Sequence, residues 1–326
     1  MTIEIHTAAP DGAGHTAAIV GAGLIGCSWA HVFARAGWQV RVWDPIPAQR
    51  DAAQARIAQS LQDLQGHGLV CDAVAAAARV QVVATLDEAV AAADHVQESG
   101  PETLEVKRET FAALDAIAPA HCVLASSTSA IVASRFTEAL AGRSRCIVAH
   151  PVNPPHLVPV VELCGAPWTS AQTKERASLT MRAIGQVPID VQREIDGFVL
   201  NRLQAALLTE AFRLVQDGVV SPQDLDHTIA DGLGLRWAFM GPFETIELNA
   251  PGGIADYCER YVPWLRRYVA DLPPAEVWND AHWRLAARAW GPAPTPDAVA
   301  RKSQWRNDRL AALAAHKRTA TPWSDC

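Results

Sequence analysis

Three glycines within ten residues, in Ala17-Ala18-Ile19-Val20-Gly21-Ala22-Gly23-Leu24-Ile25-Gly26, set the strongest constraint on what this chain can fold into. An apolar run suited to a buried strand ends at Val20. After the glycines, Ile25, Trp29, Val32 and Phe33 recur at helical spacing until Gly37 stops the helix. Trp38-Gln39-Val40-Arg41-Val42-Trp43-Asp44 then reads as a second strand closing on a carboxylate. Strand, Gly-x-Gly-x-x-Gly turn, helix and acid-terminated strand together make the βαβ unit that binds dinucleotides. Gly21 permits the tight turn, Gly23 lets the N–H groups of Leu24 and Ile25 approach a pyrophosphate, and Gly26 lets the helix sit close to the sheet. Asp44 stands where a carboxylate accepts from a ribose 2′-hydroxyl and repels a 2′-phosphate, so NAD is the expected cofactor. Arg41 and Arg50 are the nearby cations that a 2′-phosphate would draw on. The competing reading of residues 17–34 is a membrane span, but the glycines and His31 break the run too often to cross about 30 Å of hydrocarbon.

A chain of 326 residues is long enough for a large core and two domains. Its formal net charge of −7 disfavours a nucleic-acid partner. Met1-Thr2-Ile3-Glu4-Ile5-His6 lacks the basic-then-apolar order of a secretory signal, and residues 1–14 read as a loose leader. Seven cysteines without a C-x-x-C pair suit a reducing compartment, so the expected location is cytoplasmic. Cys146 and Cys164 have apolar neighbours and are expected to be inert core thiols. Eleven histidines show no paired-ligand spacing, so no metal is expected.

Strand-like and helical runs then alternate. Residues 48–65 read as a helix, Val80 to Ala84 and His95 to Glu98 as strands, Glu102 to Ile117 as a helix, and Cys122 to Ala125 and Cys146 to His150 as strands. Val158 to Leu163 and Val187 to Val191 add strands at the far edge. From Gly197 onward the pattern is helical: Phe198 to Gln216, a start at Ser221-Pro222, and, after the stiff run Gly291 to Pro296, a last basic helix from Asp297 to Arg318. The expected fold class is therefore α/β: a Rossmann-type, mostly parallel sheet domain over residues 15–195, followed by an all-α C-terminal domain over 196–326. Seven of the eleven tryptophans fall after residue 230, either as core or as the lining of a subunit contact.

Chemistry concentrates in Ala149-His150-Pro151-Val152-Asn153-Pro154-Pro155 and the following Val160-Val161-Glu162-Leu163. If the proline loop reverses the chain, His150 and Glu162 face one another. A buried glutamate then fixes the imidazole tautomer and supports its protonated form, as a general base for alcohol oxidation needs. Spacing alone equally allows a loop histidine and a strand-end carboxylate on a solvated edge. Ser126-Ser127-Thr128-Ser129 ends a strand at the sheet's carboxyl edge, either binding ligand or capping a helix that begins near Ile131. Asn201, among apolar residues in Gly197-Phe198-Val199-Leu200-Asn201-Arg202, is a structural hydrogen bonder or a substrate contact.

Taken in order, the Gly-rich turn, Ser-Ser-Thr-Ser, His-Pro-Val-Asn-Pro-Pro, Val-Glu-Leu, Gly-Phe-Val-Leu-Asn-Arg and Met240-Gly241-Pro242-Phe243-Glu244 resemble the 3-hydroxyacyl-CoA dehydrogenase superfamily. The likeness spans nearly the whole chain and is greatest to the λ-crystallin branch, which includes L-gulonate 3-dehydrogenase. It implies His150 as catalytic base, Glu162 as its partner, Ser129 as a contact of substrate hydroxyl and cofactor, and Asn201 as a holder of the substrate oxygen. It also implies Glu102 and Lys107 on the nicotinamide-side ribose and carboxamide, and a homodimer formed through the helical domain. Two aromatics typically follow the histidine in acyl-CoA members, whereas this chain has Pro151-Val152. Gly232-Leu233-Gly234-Leu235-Arg236-Trp237-Ala238 places an arginine where those enzymes carry a small or apolar segment. A guanidinium suits bidentate binding of a free carboxylate, and its other reading is a surface salt bridge. The implied activity is NAD-dependent oxidation of the 3-hydroxyl of a small hydroxy acid such as L-gulonate. Rival readings are an acyl-CoA dehydrogenase, an L-carnitine dehydrogenase, and a structural or dinucleotide-sensing protein.

Overall fold

The computed structural model describes residues 14–270, 278, 280–289 and 291–321. The leader expected over residues 1–14 therefore lies outside the described residues, except for Gly14. By contact the chain divides into two units, residues 200–296 and all the rest.

In the first unit, apolar residues alternate along the strands and so supply both faces of one sheet. The strands are β1 (Thr16–Val20), β2 (Gln39–Trp43), β3 (Val80–Val82), β4 (His95–Glu98), β5 (Val123–Ser126), β6 (Cys146–Pro151), β7 (Val160–Gly165) and β8 (Val187–Val191). They lie in the order β3-β2-β1-β4-β5-β6-β7-β8. All neighbours pair parallel except β6 with β7. Ala17, Ile19, Ala125, Ile147 and Ala149 pack on one face with α1 (Leu24–Arg35), α2 (Pro47–Gly66) and α7 (Ala171–Ala183). Ala18, Val20, Leu124 and Val148 pack on the other with α4 (Leu86–Val90), α5 (Leu104–Ile117) and α6 (Ser134–Thr137); α3 (Ala73–Ala77) lies between α2 and β3 in sequence. Asp72 caps α3, and a Thr85–Glu88 capping box starts α4. The helix expected from Ile131 begins only at Ser134, although the Ile131 N–H donates to Thr128 Oγ1 at 3.0 Å in the manner of a capping bond.

The sheet is thus the Rossmann-type one expected, with its topological switch point between β1 and β4. Burial keeps three imidazoles inside this unit neutral: His31 is held well below its usual pKa, and His95 and His156 are lowered to about 4. Burial likewise pushes the Cys146 thiol up to about 12 and Cys164 to about 11, as expected of core thiols.

Among its described residues the elements of the second unit are all helical: α8 (Leu200–Gln216), α9 (Pro222–His227), a π-helical stretch Thr228–Leu233, α10 (Gly234–Arg236), α11 (Pro242–Glu247), α12 (Gly253–Val269) and α13 (Asp280–Ala289). Ser221 caps α9, its Oγ accepting from the Asp224 N–H at 3.1 Å. Among the described residues of this unit only Val215, Thr245 and Ala250 are buried. Trp237, Trp264 and Trp278 are 39%, 53% and 46% exposed, which removes the core reading for these three.

One boundary differs from the sequence expectation. From Asp297 on, the last helix, α14 (Pro296–Thr319), belongs with the first unit and not with residues 200–296. Ala311 enters the first unit's core, Leu310, Ala314 and Ala315 pack beside it, and Arg318 Nη1 donates to the Leu69 carbonyl at 3.1 Å. Among the described residues no helix is long and apolar enough to cross a membrane.

Candidate active site

The candidate site collects at the carboxyl ends of β1, β4, β5 and β6. Gly21 has φ +107°, and a Cβ there would stand 2.7 Å from the Ser99 carbonyl oxygen. A Cβ on Gly26 would fall 1.8 Å from the Gly21 oxygen, so the turn and α1 close only on glycines. Gly23 is different: a Cβ would meet nothing within 4 Å. Gly23 is also the N-cap of α1, it offers no side-chain cap, and the first turn holds no acid. The start of α1 at Leu24 and Ile25 thus has open space beside Gly23 and no acid of its own, which suits an anion such as a pyrophosphate.

Asp44 is buried at the end of β2, its Oδ2 accepting from the Ala22 N–H at 2.7 Å and its Oδ1 from the Ile46 N–H at 2.8 Å. Each carboxylate oxygen keeps a further lone pair for a ribose hydroxyl. Arg50 donates to the Asp44 carbonyl at 2.6 Å and Arg41 to the Glu88 carbonyl at 2.7 Å, so both guanidiniums already bind backbone. These residues fit NAD.

Glu102 and Lys107 are not brought together. Glu102 accepts from Thr128 Oγ1 and from the Ser129 and Ala130 N–H groups, both at 3.2 Å, which ties the start of α5 to the serine loop. Lys107, expected on the cofactor's ribose, is only 1% exposed, with Nζ 2.8 Å from each oxygen of Glu98. A lysine buried to that degree needs a counter-ion, and Glu98 supplies it. Glu98 also accepts from Ser126 Oγ and the Gly100 N–H, each at 2.6 Å. It thus joins β4, α5 and β5 at the switch point. Sequence reasoning missed Glu98; its only signal was an acid ending an otherwise buried strand.

Ser127, expected with its neighbours either to bind ligand or to cap a helix, is instead tied into the sheet: its Oγ accepts from Trp29 Nε1 at 3.0 Å and Gln97 Nε2 at 2.7 Å. Gln97 Nε2 also donates to the Ala149 carbonyl at 3.2 Å, which anchors the residue preceding His150. Ser129 itself is exposed at the loop's end.

The proline loop does reverse the chain: antiparallel register sets His150 opposite Glu162. His150 Nδ1 lies 2.8 Å from Glu162 Oε2, with the two residues 4% and 2% exposed. A carboxylate only accepts, so Nδ1 carries the proton and Nε2 is left as the basic nitrogen. The solvated-edge reading is thereby excluded. The second glutamate oxygen accepts from the Val199 N–H at 2.8 Å. That N–H is aimed by a left-handed turn at Gly197 (φ 76°) and Phe198 (φ 48°). The Phe198 ring is fully buried, its centroid 5.5 Å from that of His150. A positive φ at a bulky residue is strained and persists where its surroundings hold it. Two residues after Val199 comes Asn201, in the first turn of α8.

Arg236 ends α10, is exposed, and makes no ion pair among the described residues. The salt-bridge reading has no support there. Among the described residues no cluster of His, Cys, Asp and Glu has metal-binding geometry.

Comparison with known proteins bears on this arrangement. The model of the 3-hydroxyacyl-CoA dehydrogenase NAD binding domain matches residues 16–195, and that of the 3-hydroxyacyl-CoA dehydrogenase C-terminal domain matches residues 197–275. Lambda-crystallin of Oryctolagus cuniculus is 42% identical over 310 residues, covering 93% of this chain and 97% of the relative. L-carnitine dehydrogenase of Pseudomonas putida is 37% identical over 263 residues, covering 80% and 81%. The crystal structure of 5-formyl-3-hydroxy-2-methylpyridine 4-carboxylic acid 5-dehydrogenase, an NAD-dependent dismutase, superposes with a TM-score of 0.80 at 26% identity, covering 93% and 97%.

Proposed function

Because the chain belongs to the 3-hydroxyacyl-CoA dehydrogenase family and is an NAD-dependent CH–OH oxidoreductase, we propose that it oxidises the 3-hydroxyl of a small acid bearing a free carboxylate, with L-gulonate as substrate. NAD, when bound, accepts the hydride. His150 Nε2 takes the hydroxyl proton while Glu162 holds Nδ1 and stabilises the imidazolium. Ser129 and Asn201 hold the reacting oxygen, and Arg236 pairs with the carboxylate. Gly21, Gly23, Leu24, Ile25, Gly26 and Asp44 bind the cofactor. Glu102 orders the serine loop beside it, and Lys107 acts there through its pair with Glu98.

The observation that carries the substrate class is Arg236, an exposed guanidinium without an acidic partner among the described residues. The names of two relatives point the same way, since L-carnitine and the pyridine carboxylic acid both carry a carboxylate. Arg236→Ala is expected to raise KM for L-gulonate about 10- to 100-fold, the worth of a charge-assisted hydrogen-bond pair, with NADH binding unchanged. Steady-state kinetics that show the same KM in both proteins would remove the carboxylate reading.

The helical unit also supports a homodimer. Among its described residues it buries almost nothing, and Leu203, Phe243, Leu248 and Tyr268 are each at least 65% exposed. Tyr257, Tyr261, Trp264, Leu265 and Tyr268 recur along α12 at the spacing of one helix face. A second copy of this chain is the proposed cover, and through it Arg236 of one subunit serves the site of the other.

A further inference from the structure

Residues 222–236 form one continuous helical run, α9, the π stretch and α10, interrupted by no loop. The π stretch Thr228–Leu233 closes with the Gly234 N–H donating to the Ile229 carbonyl, five residues back instead of four. Such turns are rare and concentrate at functional sites. Each residue advances an α-helix by about 100°, so one extra residue in a turn rotates everything after it by that amount. In an uninterrupted α-helix Arg236, seven residues after Ile229 and eleven after Leu225, would lie on the same stripe as those two side chains. Leu225 and Ile229 are partly buried, whereas Arg236 is exposed. The π-turn takes the guanidinium off the apolar stripe.

Gly234 is what permits the turn. A Cβ at this position would stand 2.8 Å from the Ile229 carbonyl oxygen, a distance real side chains do not adopt, and the obstacle is backbone. Any other residue favours the ordinary register, with the N–H of position 234 turned to Ala230. Gly232, inside the same turn, has open space where its Cβ would be. Side chains also brace the turn: His227 Nδ1 lies 2.9 Å from Asp231 Oδ2, and Thr228 Oγ1 donates to the Asp224 carbonyl at 2.9 Å.

We propose that Gly234 is a specificity-positioning residue: it holds the 228–233 π-turn open and thereby presents Arg236 to the substrate carboxylate. This rests on the hydroxy-acid reading of Arg236. Alanine is the better helix former, so Gly234→Ala, by letting the run relax into α-helix, leaves the thermal midpoint unchanged or raises it. A merely structural glycine would behave in the opposite way.

The test is steady-state kinetics on L-gulonate, NADH affinity and thermal melting for Gly234→Ala, Gly232→Ala and Arg236→Ala, each made in the full chain. The expected result for Gly234→Ala is a KM raised about 10- to 100-fold, close to that of Arg236→Ala, with kcat and NADH affinity near wild type and Tm not lowered. Gly232→Ala is expected to match wild type. A raised KM in Arg236→Ala with an unchanged KM in Gly234→Ala overturns the role of Gly234 and leaves the reading of Arg236 standing. Unchanged KM in both removes that reading and this inference with it. A Tm lowered in Gly234→Ala assigns the glycine to stability and overturns the proposal.

Discussion

Replacing His150 by glutamine is expected to lower kcat about 10²- to 10⁴-fold, with NADH affinity and thermal stability close to wild type. The size follows from what the imidazole does: Nδ1 is bound to Glu162 at 2.8 Å, so Nε2 is the nitrogen left to take the hydroxyl proton. The glutamine amide offers an N–H to the same carboxylate, which keeps Glu162 paired in its buried position, but it has no basic nitrogen. The loss therefore falls on the chemical step and not on the fold. Stopped-flow or steady-state turnover, read beside NADH titration, separates the two. A His150→Gln enzyme that turns over at the wild-type rate contradicts the assignment.

The second large effect is on stability. Glu98→Gln is expected to cost about 3–5 kcal/mol, because it leaves the ammonium of Lys107, itself 1% exposed, without a counter-charge. The single amide oxygen of glutamine replaces one carboxylate oxygen only, keeping the acceptor for either Ser126 Oγ or the Gly100 N–H, so one hydrogen bond is lost along with the charge pair, which is the larger cost. A fall of roughly 10 °C in Tm follows for a chain of this size. The double variant Glu98→Gln/Lys107→Met, which removes both charges, is expected to recover most of that loss. Thermal melts of the three proteins decide it. A single variant melting within about 2 °C of wild type would show that the pair does not hold β4, α5 and β5 together.

What could be read in advance depended on whether the cause was local. Gly21, Gly23 and Gly26 announce themselves because a turn and a helix start have fixed offsets along the chain. His150 and Glu162 were legible as a candidate pair, since a proline loop that reverses the chain sets them face to face, but spacing left the solvated edge equally open, and only the antiparallel register and the burial of both residues decide it. The Glu98–Lys107 pair was not legible, since it depends on both residues being buried at once, and the spacing of strand and helix does not reveal depth. The same holds for Gln97 and Ser127, which meet across β4 and β5.

The return of α14 to the first unit was hidden for a different reason. Its buried stripe is Leu310, Ala311, Ala314 and Ala315, and alanines suit an exposed helix as well as a packed one. Nothing local says which domain receives it. Nor does the π-turn at Thr228–Leu233 carry a sequence signature, because it shows only in which carbonyl Gly234 bonds.

The most direct test of the proposed function is NADH formation by the purified wild-type chain on L-gulonate, 3-hydroxybutyrate, L-carnitine and 3-hydroxybutyryl-CoA, compared as kcat/KM. With Arg236 as the carboxylate partner, L-gulonate should exceed the CoA thioester by at least about 10- to 100-fold. A thioester turned over faster than every free acid would contradict it and return Arg236 to a structural role.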